Sequence, residues 1–183
     1  MTETAKTEIK DLLDRLARMN AAEDWAGTIN PTQRAALAYL AKANRFSAKP
    51  SQVADYLSAT RGTVSQTLKA LARKELITEQ RSETDKRSIS YSVTKAGFQE
   101  LKNSTSLDPA LSKLDRTELT ALSNSLKSLV RELLIERENR PFGICKDCHH
   151  HQMSQSGAFC ALLQEPLQRA DISKLCHEFS PAS

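Results

Sequence analysis

The sequence predicts a mainly α-helical protein with one small β-hairpin. Apolar residues recur every three or four positions along most of the chain up to residue 74 and again after residue 115, which is the period of amphipathic helices. Between residues 76 and 93 the period changes to two, as in paired strands. Since no apolar run approaches the ~20 residues that cross a bilayer, no membrane association is expected.

Two helices are predicted before residue 44. The first covers residues 2–20, and its apolar side consists of Ile9, Leu12, Leu13, Leu16 and Met19. The second begins at Asn30-Pro31, because asparagine is a good N-cap and proline suits the first helical position. It runs to Ala43, with an apolar side formed by Ala35, Leu37, Tyr39 and Leu40.

A pair of shorter helices follows. Lys49-Pro50-Ser51 opens a helix of about two turns, and Thr60 caps another that runs to Lys74. In the latter helix Val64, Leu68 and Leu71 share one side, which must face inward. Two short helices joined by such a turn form the helix-turn-helix pattern.

The period-two region after this pair supplies a wing. Residues 76–81 are predicted to form one strand, residues 82–86 a polar turn and residues 88–93 the returning strand. A further helix is predicted over residues 94–101, and the sequence from there to Leu114 is polar and weakly patterned. The predicted fold is therefore a winged helix-turn-helix.

The longest predicted helix runs from Asp115, whose pairing with Glu118 has the form of a capping box, to residue 138. Its apolar stripe comprises Leu119, Leu122, Leu126, Leu129, Val130, Leu133 and Leu134. This stripe favours a homodimer interface, and the alternative is an ordinary core helix. Four segments result: an N-terminal dimerisation helix and loop (1–29), a DNA-binding domain (30–101), a C-terminal dimerisation helix (102–140) and a Cys/His-rich tail (141–183).

The side of the Thr60 helix opposite Val64 has the residue types that read DNA. Helix-turn-helix proteins place the start of this second helix in the major groove. Arg61 and Gln66 are the expected base readers, because arginine pairs with guanine and glutamine with adenine. The wider set of expected DNA contacts comprises Arg61, Thr63, Ser65, Gln66, Lys69, Arg73, Lys86 and Arg87, with Lys74 as a further phosphate contact.

Positive charge is concentrated in the same region. The whole chain carries a net charge of +4, whereas the segment from Arg45 to Lys95 holds ten lysines and arginines against five acidic residues. A local basic patch favours binding to phosphates because it releases counterions. The alternative is a basic surface that only contacts solvent.

The chain resembles the MarR family of winged-helix regulators over about residues 5–138. The resemblance lies in Asn30-Pro31-Thr32-Gln33, in the helix pair of residues 51–74, in Asp85-Lys86-Arg87 and in residues 93–97. It implies a homodimer with intertwined first and last helices, which places two recognition helices on successive major grooves of a pseudo-palindromic operator in double-stranded DNA. Family members usually repress, and they lose DNA affinity on binding a small-molecule effector or on oxidation.

The same resemblance implies roles for two wing residues and reveals one departure. Arg87 would insert into a minor groove, and Asp85 would orient it through a salt bridge. An arginine in a narrow minor groove reads DNA shape as well as base identity. The family usually has glycine between the recognition helix and the wing, where a left-handed C-cap suits it, whereas Glu75 stands there in this chain.

All four cysteines lie in the tail, as Cys145, Cys148, Cys160 and Cys176. A C-x2-C pair is a good start for a metal site, and a reducing cytoplasm, which is the expected location, disfavours structural disulfides. One close pair followed by two separate cysteines fits an iron–sulfur cluster somewhat better than Zn²⁺, which usually takes two close pairs. Disulfides or unligated thiols are the alternatives, and His149 and His177 are candidate substitute ligands.

These patterns predict a sequence-specific DNA-binding transcriptional regulator with a metal- or redox-responsive tail. Loss of the cofactor would act through the neighbouring dimerisation helix and change the spacing of the recognition helices. A metal-stabilised protein-interaction module that does not bind DNA is the alternative. No enzymatic activity is expected, because no thioredoxin-like context surrounds Cys145 and Cys148, and no other nucleophile, phosphate loop or carboxylate pair stands out.

Overall fold

A computed structural model describes residues 3–81, 89–102, 107–137, 140–154 and 157–182. The helices up to the wing are α1 (Glu3–Trp25), α2 (Pro31–Lys42), α3 (Pro50–Leu57) and α4 (Arg61–Arg73). The wing strands are β1 (Ile77–Arg81) and β2 (Ile89–Val93), followed by α5 (Lys95–Leu101), α6 (Leu107–Leu111) and α7 (Arg116–Glu136). The predicted fold class, mainly α with a small hairpin, is confirmed.

The C-terminal segment has its own small β structure, which the sequence patterns did not predict. It contains β3 (Gly143–Ile144), a 3-10 turn (Cys145–Asp147), β4 (His151–Ser154), β5 (Gly157–Cys160), β6 (Glu165–Pro166), α8 (Arg169–Ile172) and β7 (Leu175–Cys176). Strand β3 pairs with β7, and β4, β5 and β6 form an antiparallel sheet. We call residues 141–182 the cysteine module.

The helix starts follow the capping residues in the sequence. Asn30 accepts a hydrogen bond from the Gln33 N–H at 2.9 Å, and the Gln33 side chain accepts from the Asn30 N–H at 3.3 Å. Thr60 accepts from the Thr63 N–H at 3.1 Å. Asp115 and Glu118 form the predicted capping box at the start of α7. Side-chain caps satisfy backbone donors that have no partner within the helix, which is why these starts are readable.

The core of the winged helix lies between α2, α3, α4 and the hairpin. Its buried members include Leu37, Val53, Val64, Leu68, Leu71 and Ile77, all less than 3% exposed. The inward side of α4 is as predicted. On α2 the predicted Leu37, Tyr39 and Leu40 are buried, but the fully buried alanine is Ala36, whereas the expected Ala35 is only half-buried. Helix α6 was missed because only one turn forms in a polar segment.

Three helices differ slightly in extent from their prediction. Helix α1 continues to Trp25 rather than stopping near residue 20, and its last turn is anchored because buried Asp24 pairs with Arg34 of α2. Helix α2 ends at Lys42, and α7 ends at Glu136. None of the helices within the described residues is both long enough and apolar enough to span a membrane.

Glu75 adopts the left-handed conformation that a glycine would normally supply. Its φ is 58°. The Leu76 N–H donates to the Leu71 carbonyl at 3.1 Å and the Glu75 N–H to the Ala72 carbonyl at 2.9 Å, which is the Schellman arrangement at the end of α4. The departure from the family pattern therefore changes the residue but keeps the cap.

Replacing Glu75 with glycine is expected to raise the free energy of unfolding by about 0.5–1 kcal/mol, because the left-handed conformation strains a residue with a Cβ. Chemical denaturation monitored by circular dichroism measures the change. Arg73→Gly, two residues earlier in regular helix, is the matched control and should lower stability by about 1 kcal/mol. A loss of stability in both variants would contradict the strain argument.

Candidate functional site

The outer side of α4 is accessible. Arg61, Thr63, Gln66, Lys69 and Arg73 are exposed, and Ser65 is half-buried. The inward residues Val64, Leu68 and Leu71 are completely buried, which fixes the rotation of the helix. The expected DNA-contacting residues of α4 therefore lie together on its solvent side.

Two residues near this surface have partners within the chain. The Thr63 hydroxyl lies 2.9 Å from the Thr60 hydroxyl, so it takes part in the N-cap. Lys74 donates to the Thr28 carbonyl and, at 3.3 Å, to the Gln33 side chain. The ammonium of Lys74, expected to contact a phosphate, is exposed and directed toward the loop before α2.

A shallow concave surface of about 290 Å³ joins α4 to the hairpin. Gln66, Lys69 and Arg73 line one side, and Glu79 and Tyr91 line the other. The Tyr91 hydroxyl donates to the Glu79 carboxylate at 3.3 Å, which orients the acidic group. The expected wing residues Asp85, Lys86 and Arg87 lie outside the described residues.

The four cysteines are reduced and buried together in the cysteine module. The pKa of Cys145 is raised to about 11, chiefly by burial and also by the nearby Cys176, Cys160, Cys148 and Asp171. Burial also raises the pKa of Cys176, while the polar groups of Asn44, Glu178 and Ser47 around it oppose that shift. The module thus gathers residues separated by up to 31 positions into one thiol cluster.

Short backbone pairings bring the cysteines together. Cys145 and Cys148 flank the 3-10 turn, where the Cys148 N–H donates to the Cys145 carbonyl at 3.1 Å. Cys160 ends β5 opposite His151, and Cys176 pairs with Gly143 between β7 and β3. A Cβ on Gly143 would lie 2.5 Å from the Phe179 ring, so glycine permits this close approach.

The donor set can be tested against a metal cofactor. Within the described residues, no three His, Cys, Asp or Glu side chains form an arrangement for a single metal ion. Tetrahedral zinc with Zn–S bonds of 2.3 Å needs sulfurs about 3.8 Å apart. Two buried nitrogens near the thiols, Asn44 Nδ2 and His151 Nε2, have no hydrogen-bond partner. Four cysteine thiolates are also the donor set of an iron–sulfur cluster.

Two histidines beside the cysteines are occupied elsewhere. The His177 ring lies 2.9 Å from the Glu178 carboxylate through Nδ1 and 2.9 Å from the Asp55 carboxylate through Nε2. Both nitrogens of His177 therefore face carboxylates. His149 is exposed and packs against the His150 ring.

The cysteine module packs against the helix-turn-helix of its own chain. Phe142 lies edge-on to Tyr39 of α2 and Tyr56 of α3, with ring centroids 6.0 and 5.1 Å apart. Arg45 donates to the Pro166 carbonyl at 2.7 Å and pairs with Asp171 at 3.5 Å. The expectation that the tail acts through α7 did not include this contact, which no local sequence pattern encodes.

Helix α7 and the cysteine module border an apolar groove of about 820 Å³. Leu122, Leu126 and Val130 line one wall, and Phe142 and Phe179 line the other. No residue of α7 is buried in the chain, and Leu126 and Leu133 are 40% and 42% exposed. The apolar stripe of α1 is exposed as well. These two helices therefore present large exposed apolar surfaces that the described part of the chain does not cover.

Comparisons with known proteins agree with this architecture. Residues 28–88 match the model of the MarR family, which is a family of transcription regulators rather than enzymes, as expected. A search of curated protein sequences found no significant match. The matched segment begins in the loop before α2 and ends at residue 88, between β1 and β2 in the sequence. It does not include the cysteine module.

The similarity to solved structures extends beyond residues 28–88. The S. aureus MepR–DNA complex has a TM-score of 0.54 at 20% identity, covering 72% of this chain and 98% of its own. Streptococcus pneumoniae FabT in complex with DNA gives 0.56 at 19%, covering 72% and 96%. The transcriptional regulator SlyA gives 0.57 at 18%, covering 75% and 98%. Part of this chain therefore has no counterpart in these structures.

Proposed function

We propose that this chain, whose residues 28–88 match the MarR family model, is a sequence-specific DNA-binding transcriptional regulator. The observation that carries the proposal is the outer side of α4, where Arg61, Gln66, Lys69 and Arg73 are all exposed beside the hairpin. Two similar structures, MepR and FabT, were solved with DNA. A cytoplasmic location follows from this role.

The expected mode of binding follows from the geometry of the two surfaces. Arg61 and Gln66 near the start of α4 would contact base edges, while Lys69 and Arg73 would contact phosphates. The exposed stripes of α1 and α7 favour a homodimer, since burying them against a second copy removes apolar area from water. A dimer would recognise a pseudo-palindromic operator, and bound there it would act as a repressor.

We also propose that the four cysteines hold an iron–sulfur cluster rather than a single Zn²⁺. The thiols interact, they lie in no single-ion arrangement within the described residues, and two buried nitrogens beside them lack acceptors. Bound there, a cluster would supply reversible one-electron chemistry and sensitivity to oxidation. The chain would then respond to redox conditions through its own cysteines rather than through a small-molecule effector.

Salt-dependent binding to duplex DNA tests the main proposal. A random-sequence duplex library selected against the full chain supplies an operator, and fluorescence anisotropy gives its affinity across salt concentrations. Arg61→Ala and Gln66→Ala should each weaken operator binding by about 1–3 kcal/mol and relax the base preference. Lys69→Ala should weaken all sequences similarly and reduce the salt slope by about one.

Thr78→Ala, on the exposed face of β1, is the control for these alanine variants. It removes an exposed polar side chain away from the α4 surface and should leave operator affinity unchanged. Absence of any salt-dependent binding to duplex DNA would contradict the regulator proposal and favour a protein-interaction module.

A further inference from the structure

The turn between α2 and α3, residues 43–49, meets the last strand of the cysteine module. Ala43 forms a parallel bridge with Leu175, and the Asn44 N–H donates to the Leu175 carbonyl at 2.8 Å. On the other side of Cys176, the His177 N–H donates to the Ser47 hydroxyl at 2.8 Å. Cys176 is therefore held between two hydrogen bonds to the turn of the helix-turn-helix.

The Asn44 side chain is buried where the α2–α3 turn meets the strand that carries Cys176. It is 1% exposed, and its Oδ1 accepts from the Phe46 N–H at 3.1 Å, which assigns the orientation of the amide. Its Nδ2 has no hydrogen-bond partner among the described residues, and its backbone N–H is bonded to Leu175, the residue before Cys176. A buried donor without an acceptor is destabilising, and a cofactor-bound thiolate accepts hydrogen bonds.

Ser47 makes a second contact of the same kind. It is completely buried, and its hydroxyl accepts from the N–H of His177, the residue after Cys176. The Tyr39 hydroxyl donates to the Ser47 carbonyl at 2.7 Å, which fixes this residue to α2. The surroundings of Cys176 are thus built partly from residues of the winged helix.

Two further contacts connect the module to the same region. The His177 ring reaches Asp55 on α3, and Arg45 in the turn reaches Asp171 before β7. Helix α3 packs directly on α4. A change in the position of Cys176 therefore has a contiguous path of contacts to the recognition helix that does not pass through α7.

We propose that Asn44 and Ser47 are positioning residues of the cysteine site, and that through them the helix-turn-helix of the same chain responds to whether Cys176 holds a cofactor. This inference rests on the proposed function, in that it assumes a cofactor at the cysteines. It differs in mechanism from a switch through the dimerisation helix.

Cofactor uptake by an Asn44→Asp variant tests the positioning role. Aspartate keeps the shape and the acceptor for Phe46 but replaces the donor with a negative charge beside the thiolate. The full chain, prepared anaerobically without cofactor, is reconstituted with limiting iron and sulfide. Iron content and absorbance should show uptake about 10- to 100-fold weaker than in the wild type. Asn124→Asp, exposed on α7, is the matched control and should load normally.

The outcomes separate this inference from the proposed function. Equal loading of Asn44→Asp and wild type overturns the positioning role while the cofactor proposal stands. If the wild-type chain takes up no iron and sulfide, the cofactor proposal fails and this inference fails with it. Circular dichroism of the variant shows whether weaker loading instead reflects a failure to fold, and Ser47→Ala then provides a milder change with the same expected direction.

Hydrogen exchange tests the route. Loading the wild-type chain should slow amide exchange in residues 43–57, because their contacts with β7 then open less often. The same protection should persist in a monomeric variant carrying Leu126→Glu and Leu133→Glu, since the path lies within one chain. Protection confined to α7, or lost in the monomer, would overturn the route through the α2–α3 turn.

Discussion

Replacing Leu126 and Leu133 with glutamate is expected to separate the proposed homodimer into monomers and to lower operator affinity by about 10²- to 10⁴-fold. Both leucines lie on the exposed stripe of α7, at the wall of the apolar groove or beside it. Two charges placed in an apolar interface lose hydration without gaining partners. A monomer would engage one half-site at a time, so the second recognition helix would no longer add to the affinity.

Analytical ultracentrifugation measures the oligomeric state, and fluorescence anisotropy measures operator affinity. Asn124→Glu with Ser128→Glu is the matched control, because it adds the same two charges on the opposite side of α7, where both residues are exposed. The control should remain dimeric and bind normally. A wild-type chain that is monomeric at micromolar concentration, or a glutamate variant that stays dimeric, would contradict the assignment of α7 to the interface.

Replacing Cys145 and Cys148 with serine is expected to abolish cofactor binding, because two of the four thiolate ligands disappear. A cofactor present at 1,000 times its dissociation constant adds about 4 kcal/mol to the stability of the state that binds it. The double variant should lack this increment and unfold at a lower temperature than the loaded wild type. Metal analysis and an absorption spectrum of anaerobically purified protein measure cofactor loading, and an iron–sulfur cluster absorbs at about 400 nm.

Lys146→Ala with Asp147→Ala is the control for this experiment, since both residues are exposed in the turn between the two cysteines. It alters the same turn without removing a thiolate, and should load and bind the operator as the wild type does. The double serine variant should also differ from the wild type in operator affinity. Unchanged affinity under both reducing and oxidising conditions would contradict a regulatory role for the cysteines, and a colourless protein containing zinc would contradict the cluster.

Much of the winged helix could be predicted because its determinants are local. Asn30, Thr60 and Asp115 cap helices through side chains two or three residues from the amides they accept from. The inward side of α4 follows from the helical period of Val64, Leu68 and Leu71. The left-handed Glu75 could not be assigned in the same way, because its conformation follows from the Schellman bonds and the packing around them.

The cysteine site shows the limit of local patterns. Its four thiols are visible in the sequence as a cluster of one residue type. Asn44 and Ser47 precede Cys176 by more than 120 positions and resemble ordinary turn residues, since no spacing rule connects them to a cysteine. Burial is the signal that distinguishes them, and burial is a property of the assembled chain.

The helix-turn-helix, the exposed side of its second helix and the four clustered cysteines can all be predicted from the sequence, because helical period, caps and ligand chemistry act over a few residues. The contacts of those cysteines cannot be predicted in this way, because they depend on the folded chain. The module folds back onto α2 and the α2–α3 turn because Phe142 of the module packs against Tyr39. In the turn, Arg45 donates to the Pro166 carbonyl and Ser47 accepts from the His177 N–H. Such pairings depend on the shapes and charges of two surfaces that are distant in sequence.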